Sequence, residues 1–113
     1  MATWDDVVAA AAHLPEVEQG TWWRTPALKV RGKSFCRLRE DRETLVVRVI
    51  DLEDKEALLL GDPELYWTTP HYDGYAYVLV RLPRADPAVL AELLEDAWRV
   101  AAPNRLVAAY DAG

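Results

Sequence analysis

The sequence predicts an α+β domain, one antiparallel sheet with N-terminal and C-terminal helices packed on a single face. Three observations carry this reading. Apolar residues recur at helical spacing near both ends of the 113-residue chain. The stretches between them alternate with period two. Short motifs rich in turn residues separate the alternating runs and read as hairpins.

Thr3 is a helix N-cap with Asp6 at the third helical position, Val7, Val8 and Ala11 follow at helical spacing, and Pro15 stops the helix. From Glu16 the pattern turns β-like. Leu28 and Val30 alternate with Lys29 and Arg31, and Arg31-Gly32-Lys33 is a tight hairpin turn. Cys36 and Leu38 then alternate with Phe35, Arg37 and Arg39, and Glu40-Asp41-Arg42-Glu43 is a charged turn. Thr44 to Ile50, β-branched and apolar, is a central strand interrupted by Arg48. Asp51 caps a short helix, LEDKEALLL, ended by Gly61. Short strands are expected within Glu64–Thr69 and Tyr77–Leu82. Asp86-Pro87 is an N-cap followed by proline at the first helical position. Leu90, Leu93, Leu94, Ala97, Trp98 and Ala101 then give the last helix one broad apolar face, which Pro103 ends.

Length fits one domain spanning residues 1–113, and a hydrophobic fraction of 51% with five Trp argues against disorder. No apolar run approaches the roughly 20 residues of a membrane helix. MATWDDVV carries two acids where a signal peptide carries basic residues. The single cysteine, Cys36, has no partner for an internal disulfide, which agrees with a cytoplasmic location.

Formal net charge is −6, which opposes nonspecific coating of DNA. The average hides an asymmetry. Arg24 to Arg48 holds eight Lys/Arg against three acids, a net of +5, so the rest holds five basic and sixteen acidic residues, a net of −11. If Leu28, Val30, Cys36, Leu38, Val78 and Val80 face the helices, period two sends Lys29, Arg31, Phe35, Arg37, Arg39, Tyr77 and Arg81 to water. Arg48 joins them, because a lone charge is rarely left in a core. Lys55 and Arg84 fall off this face. The sheet's second side is thus expected to be basic with interleaved aromatics, and mixed more unevenly in sign than a merely solubilising surface.

Several stretches resemble one family. TWDDVVAAAAHLPEVEQGTWWRTPALKVRGKSFCRL is similar to the start of MmcQ/YjbR proteins, a short helix ending in Leu-Pro-x-Val/Ala-x-Glu and then Pro-x-Phe/Leu-Lys-Val-x-Gly-Lys-x-Phe. TTPHYDGYAYVLVRL resembles their His-x-x-Gly-Tyr-x-Trp/Tyr-Val segment, with Ala76-Tyr77 where Pro-Trp is more usual. LEDAWRVAAPNRL resembles their C-terminal helix. The resemblance runs along nearly the whole chain. It implies a CyaY-like (frataxin-like) α+β fold. It also brings the family's common label, DNA-binding through a double wing of hairpins, and a likeness in fold to drug-binding modules.

Candidate sites each have a bland counterpart. In His71-Tyr72-Asp73-Gly74-Tyr75, His71 oriented by Asp73 would suit proton transfer or ligand contact. A turn accounts for the same residues, with Gly74 at φ > 0, and no nucleophile or second base lies nearby in sequence. Trp22 and Trp23 are strand neighbours, so one is expected in the core and the other exposed beside Arg24, free to stack on a ring. Cys36, His13 and His71 lack zinc-ligand spacing, Asp5, Asp6, Glu16 and Glu18 are too sparse for an iron ridge, and Cys36 reads as core. No metal, cofactor or catalytic residue is expected. The binding candidates are Trp22, Trp23, Arg24, Lys29, Arg31, Arg37, Arg48, His71, Tyr75, Tyr77 and Arg81.

The expected function is therefore non-enzymatic binding by a cytoplasmic monomer that does not enter membranes. Nucleic acid, weakly held on the basic aromatic face, leads. A planar small molecule such as an antibiotic, or an acidic protein partner in an adaptor role, stands as the alternative.

Overall fold

The computed structural model describes all residues, Met1–Gly113. Six strands form one antiparallel sheet: β1 (Val17–Trp22), β2 (Thr25–Val30), β3 (Lys33–Leu38), β4 (Thr44–Arg48), β5 (Tyr66–Trp67) and β6 (Tyr77–Arg81). Their spatial order is β1-β2-β3-β4-β6-β5. Helix α1 (Trp4–Ala11) precedes the sheet, α2 (Leu52–Gly61) separates β4 from β5, and α3 (Pro87–Ala101) follows a 3-10 turn at Leu82–Arg84. The expected α+β class, with terminal helices over one face, is the observed one. No helix is long and apolar enough to cross a membrane.

Local chemistry sets these boundaries. The Asp6 carboxylate accepts from the Thr3 amide at 2.8 Å, starting α1. Asp51 accepts from the Asp54 amide and Asp86 from the Ala88 amide, starting α2 and α3. Arg31 and Gly32, at φ 50° and 81°, form the two-residue hairpin turn between β2 and β3. The Asp41 carboxylate ties the charged turn by accepting from the Glu43 and Thr44 amides and the Thr44 hydroxyl. Pro103 does end α3, but it also opens a further helix that the sequence did not suggest, α4 (Asn104–Ala112). This helix buries none of its residues fully. Leu106, Val107 and Tyr110 only pack against the core's margin, so its apolar signal was short and weak.

The main core lies between the helices and one sheet face. It joins Val7 and Ala11 of α1, Leu28, Cys36, Leu38, Leu45, Val47, Val78 and Val80 of the sheet, and Leu90, Leu94 and Trp98 of α3. The Trp98 indole donates to the Pro15 carbonyl at 3.0 Å, tying α3 to the α1–β1 connection. One register irregularity matters beyond the core. Between Leu28 and Lys29 the β2–β3 pairing shifts, so Lys29 faces Ser34 while Leu28 faces Cys36. Phe35 is the extra residue. Strict alternation placed it toward water, but the bulge turns it inward beside Cys36, and both are wholly buried. Burial pushes the Cys36 thiol up to about 12, which leaves it unreactive.

Leu94 is fully buried in this core, so Leu94→Ala should cost about 2–5 kcal/mol in chemical denaturation. A loss under about 0.5 kcal/mol, the size of an ordinary surface change, would show that α3 does not pack there.

Candidate binding site on the outer sheet face

The second sheet face carries a row of directly paired residues, Gly20, Ala27, Arg37, Val46, Leu79 and Trp67, one from each strand. Its centre is covered and dry. The segment after β5 folds back so that Tyr72 lies on Val46 and Leu79, forming a small second apolar cluster flanked by Trp67 and Tyr77. Arg37 lies under this cover, only 6% exposed, where the sequence placed it in water. Its guanidinium donates to the Thr25 hydroxyl at 3.0 Å and to the Tyr72 hydroxyl at 3.1 Å. The Thr25 hydroxyl in turn donates to the Trp22 carbonyl at 2.9 Å. Arg37 is thus a buried structural cation rather than a contact residue, because alternation along β3 fixes its face but says nothing of a loop that closes over it.

Lys55 holds that loop. It is the one buried residue of α2, and its ammonium donates to the carbonyls of Tyr72 at 2.6 Å and Tyr75 at 3.1 Å. Burial lowers its pKa from the usual lysine value, partly opposed by Asp73. The sequence set Lys55 apart from this face, whereas its ammonium reaches across to it. Gly74 takes φ 83° at the loop's tip, as its position in the turn required.

Aromatic side chains from separate segments converge beside this cover. The Trp22 ring meets the Tyr77 ring at 5.7 Å between centroids, although three strands lie between β1 and β6. Tyr72 lies 6.2 Å from Tyr77, and His71 stands edge-on to Tyr72 at 4.8 Å. Trp22, Trp23, His71, Tyr72, Tyr75 and Tyr77 line one cleft of about 280 Å³. On the other side of the Trp22–Tyr77 pair, Lys29, Lys33, Ser34 and Arg48 border a basin of about 390 Å³. Arg48 lies 6.0 Å from the Tyr77 ring centre. The Lys29 stem lies along Gly20, with Cε 3.4 Å from where a side chain there would begin. The Trp22–Tyr77 pair is therefore a wall with aromatic surface on one side and ammonium and guanidinium groups on the other.

Neither Trp22 nor Trp23 enters the main core, contrary to the expectation that one would. β1 ends at Trp22, which is half-buried on the outer face, and Trp23 opens the turn and is 67% exposed. Trp23 and Arg24 form the two-residue β1–β2 turn with φ 55° and 65°. Turns of this kind strongly favour Asn-Gly, since left-handed backbone costs other residues of order 1 kcal/mol each. A bulky ring and a guanidinium are held out to solvent here against that cost, a pattern that clusters at functional positions.

The predicted contact residues divide accordingly. Trp22, Trp23, His71, Tyr75 and Tyr77 share the cleft, with Arg24 beside it in the turn, and Lys29 and Arg48 share the basin. Arg31 is engaged elsewhere: its guanidinium pairs with Glu16 and holds that carboxyl below its usual range. Arg81 lies at the far corner, 5.4 Å from the Trp67 ring centre. Sequence reasoning missed Tyr72, Lys33 and Lys55. Pairing sets Lys33 opposite core-facing Val30 and Ser34 opposite Lys29, so strand register alone did not mark Lys33 as bordering the basin. The turn reading of this loop has its tyrosines packing over the sheet edge, and Tyr72, not the exposed Tyr75, is the one that does.

A family model described as YjbR matches residues 12–100. Two mycobacterial relatives, uncharacterized proteins of Mycobacterium tuberculosis and Mycobacterium bovis, are each 37% identical over 124 aligned positions, covering 97% of this chain and 96% of theirs. The crystal structure of a Deinococcus radiodurans protein with a DUF419 domain superposes with a TM-score of 0.70 at 24% identity, covering 87% of this chain and 77% of that one.

Replacing the turn by Asn-Gly (Trp23→Asn with Arg24→Gly) should raise stability by about 1 kcal/mol in thermal or chemical denaturation. A loss of stability would mean that the turn residues make contacts outweighing their backbone strain. Arg37→Ala should destabilise by about 1–3 kcal/mol because it strands buried hydroxyls. Arg48→Ala should stay within about 0.5 kcal/mol of the parent, and equal effects of the two changes would contradict the burial of Arg37.

Proposed function

The chain belongs to the YjbR family, and from that premise and the outer-face geometry we propose that it is a non-enzymatic binding protein for single-stranded nucleic acid, working as a cytoplasmic monomer. The observation that carries this is the cleft: six aromatic or imidazole rings brought together beside a basin of unpaired cations. Base stacking on such rings tolerates any sequence, and the cations suit the backbone that follows the base. Duplex DNA hides its base faces, and the helices here are acidic, unlike groove-reading elements. Chemistry is disfavoured by the same geometry. His71 packs on Tyr72, Asp73 accepts from the Thr68 hydroxyl at 3.4 Å, and the one thiol lies in the opposite core. A second reading rests on size. About 280 Å³ is near the lower end of small-molecule pockets, so one planar drug-like ring would also fit.

An NMR titration separates them, with single-stranded oligo(dT), a duplex of equal length and a planar aromatic drug added in turn. Single strands should shift Trp22, Trp23, Tyr77 and Lys29, with Kd on the order of 10⁻⁴–10⁻⁶ M at physiological salt. Binding should weaken with salt at about −0.7 per phosphate neutralised. Silence with both nucleic acids up to millimolar, with saturable shifts from the drug at His71 and Tyr75, would transfer the site to the small-molecule reading.

A further inference from the structure

At the opposite end of β4 from the basin, a second group of cations stands on the same face. Trp67 of the edge strand β5 packs against the outer apolar cluster. Arg39 and Arg81 approach its ring, with Cζ atoms 5.7 Å and 5.4 Å from the centroid. Beside them Thr44, Trp67, Arg81 and Arg84 line a depression of about 270 Å³ in which Glu43 is the one carboxylate. Arg84 thus belongs to this corner, although the sequence set it apart.

None of these three arginines forms a salt bridge, the ion pairs of the chain being made by His13, Arg31, Arg37 and Arg99. Arg81 makes only long bonds, 3.4–3.5 Å, to the Pro63 and Glu64 carbonyls. Asp41, whose carboxylate feels the Arg39 charge, is already engaged by the Glu43 and Thr44 amides and the Thr44 hydroxyl. Two guanidiniums gathered on one indole repel each other, and an anion placed at their free N–H edges relieves that repulsion. Guanidiniums stacked on a ring are also held flat, the geometry that matches two phosphate oxygens at once.

Thr44 lines this corner and Arg48 lines the basin, four residues apart on one strand, which at strand rise is about 13 Å. A mononucleotide carries its phosphate at one place only. We propose that the Trp67 corner is a second phosphate subsite, so that the ligand is a single-stranded oligonucleotide whose backbone runs from the basin to the corner over the Tyr72 cover of the outer face. This rests on the nucleic-acid reading above and adds to it a minimum ligand length and a second binding element.

Fluorescence anisotropy with labelled oligo(dT) of two and eight residues tests it, using the parent chain, Arg81→Gln with Arg84→Gln, and Glu43→Gln. Thermal melts confirm folding of each variant. The eight-residue strand should bind at least about tenfold tighter than the two-residue one, as expected when a second contact becomes intramolecular. The double change should remove most of that advantage and reduce the salt slope by about 0.7, the value for one phosphate, while leaving the shorter strand unaffected. Glu43→Gln should tighten the longer strand. Equal affinity for both lengths, or an eight-residue complex insensitive to the double change, would show a single subsite and overturn the proposal while leaving the nucleic-acid reading intact. Failure of every strand to bind, or equal competition by poly-Glu, would instead sink the nucleic-acid reading and this inference with it.

Discussion

The outer half of this fold depends on one buried guanidinium. Arg37 stands in the middle of a sheet face that would otherwise be wet, and a charge in that position needs both partners and cover. Thr25 supplies one hydrogen-bond partner from the neighbouring strand, Tyr72 supplies another from a loop far along the chain, and Glu40 pairs with the charge at 3.6 Å. Because Tyr72 must lie flat on Val46 and Leu79 to reach it, the loop cannot swing free. Lys55 fixes the same loop from the helix side through two carbonyls. The positions of His71 and Tyr75 follow from these two cations, while Tyr77 is placed by its pairing with Arg48. Each of the two cations is buried and hydrogen-bonded without being used for contact.

The charge asymmetry of the sequence acquires a shape in the fold. Of the cations of the central segment that form no ion pair, Lys29, Lys33, Arg39 and Arg48 lie on or border the outer face, while Arg24 and Arg42 sit in turns. Acids collect on the helices opposite, where Asp54, Glu92 and Asp96 border one groove together with Arg99 and, at the sheet's end, Arg48. Burial and then the neighbouring Glu92 and Asp54 raise the Asp96 carboxyl above its usual range, a sign that these acids crowd one another. A domain with a net charge of −6 can in this way turn one attractive side toward a polyanion, with its field orienting the approach.

Much of the fold was legible because local signals agreed with one another. Caps at Thr3, Asp51 and Asp86, the Arg31-Gly32 turn and the apolar stripe of α3 all lie where the sequence put them. The candidate site was legible in its residue types more than in its arrangement. Trp22, Trp23, His71, Tyr75 and Tyr77 stood out individually, but their meeting depends on how β1 and β6 approach across three strands. Period-two counting failed at Phe35 because one residue was inserted into the ladder. It failed differently at Arg37, where the face was right and the exposure wrong. Lys55 misled because a long stem on a polar helix gives no hint of which carbonyls its end will reach.

The bulge that misplaced Phe35 has an effect on the opposite side of the sheet. An extra residue in one strand sharpens the local twist. Twist lifts two diagonal corners of a sheet toward the same side, and here those corners carry Trp22 and Tyr77. The wall between cleft and basin is therefore a product of curvature, set by an inserted residue, Phe35, whose own side chain points into the core. Loop and wall are in that sense separately adjustable. A descendant of this chain could exchange His71, Tyr75 or the Trp23-Arg24 turn and so change what it grips. The spacing of the grip would be kept as long as the residue inserted at Phe35 stayed in place.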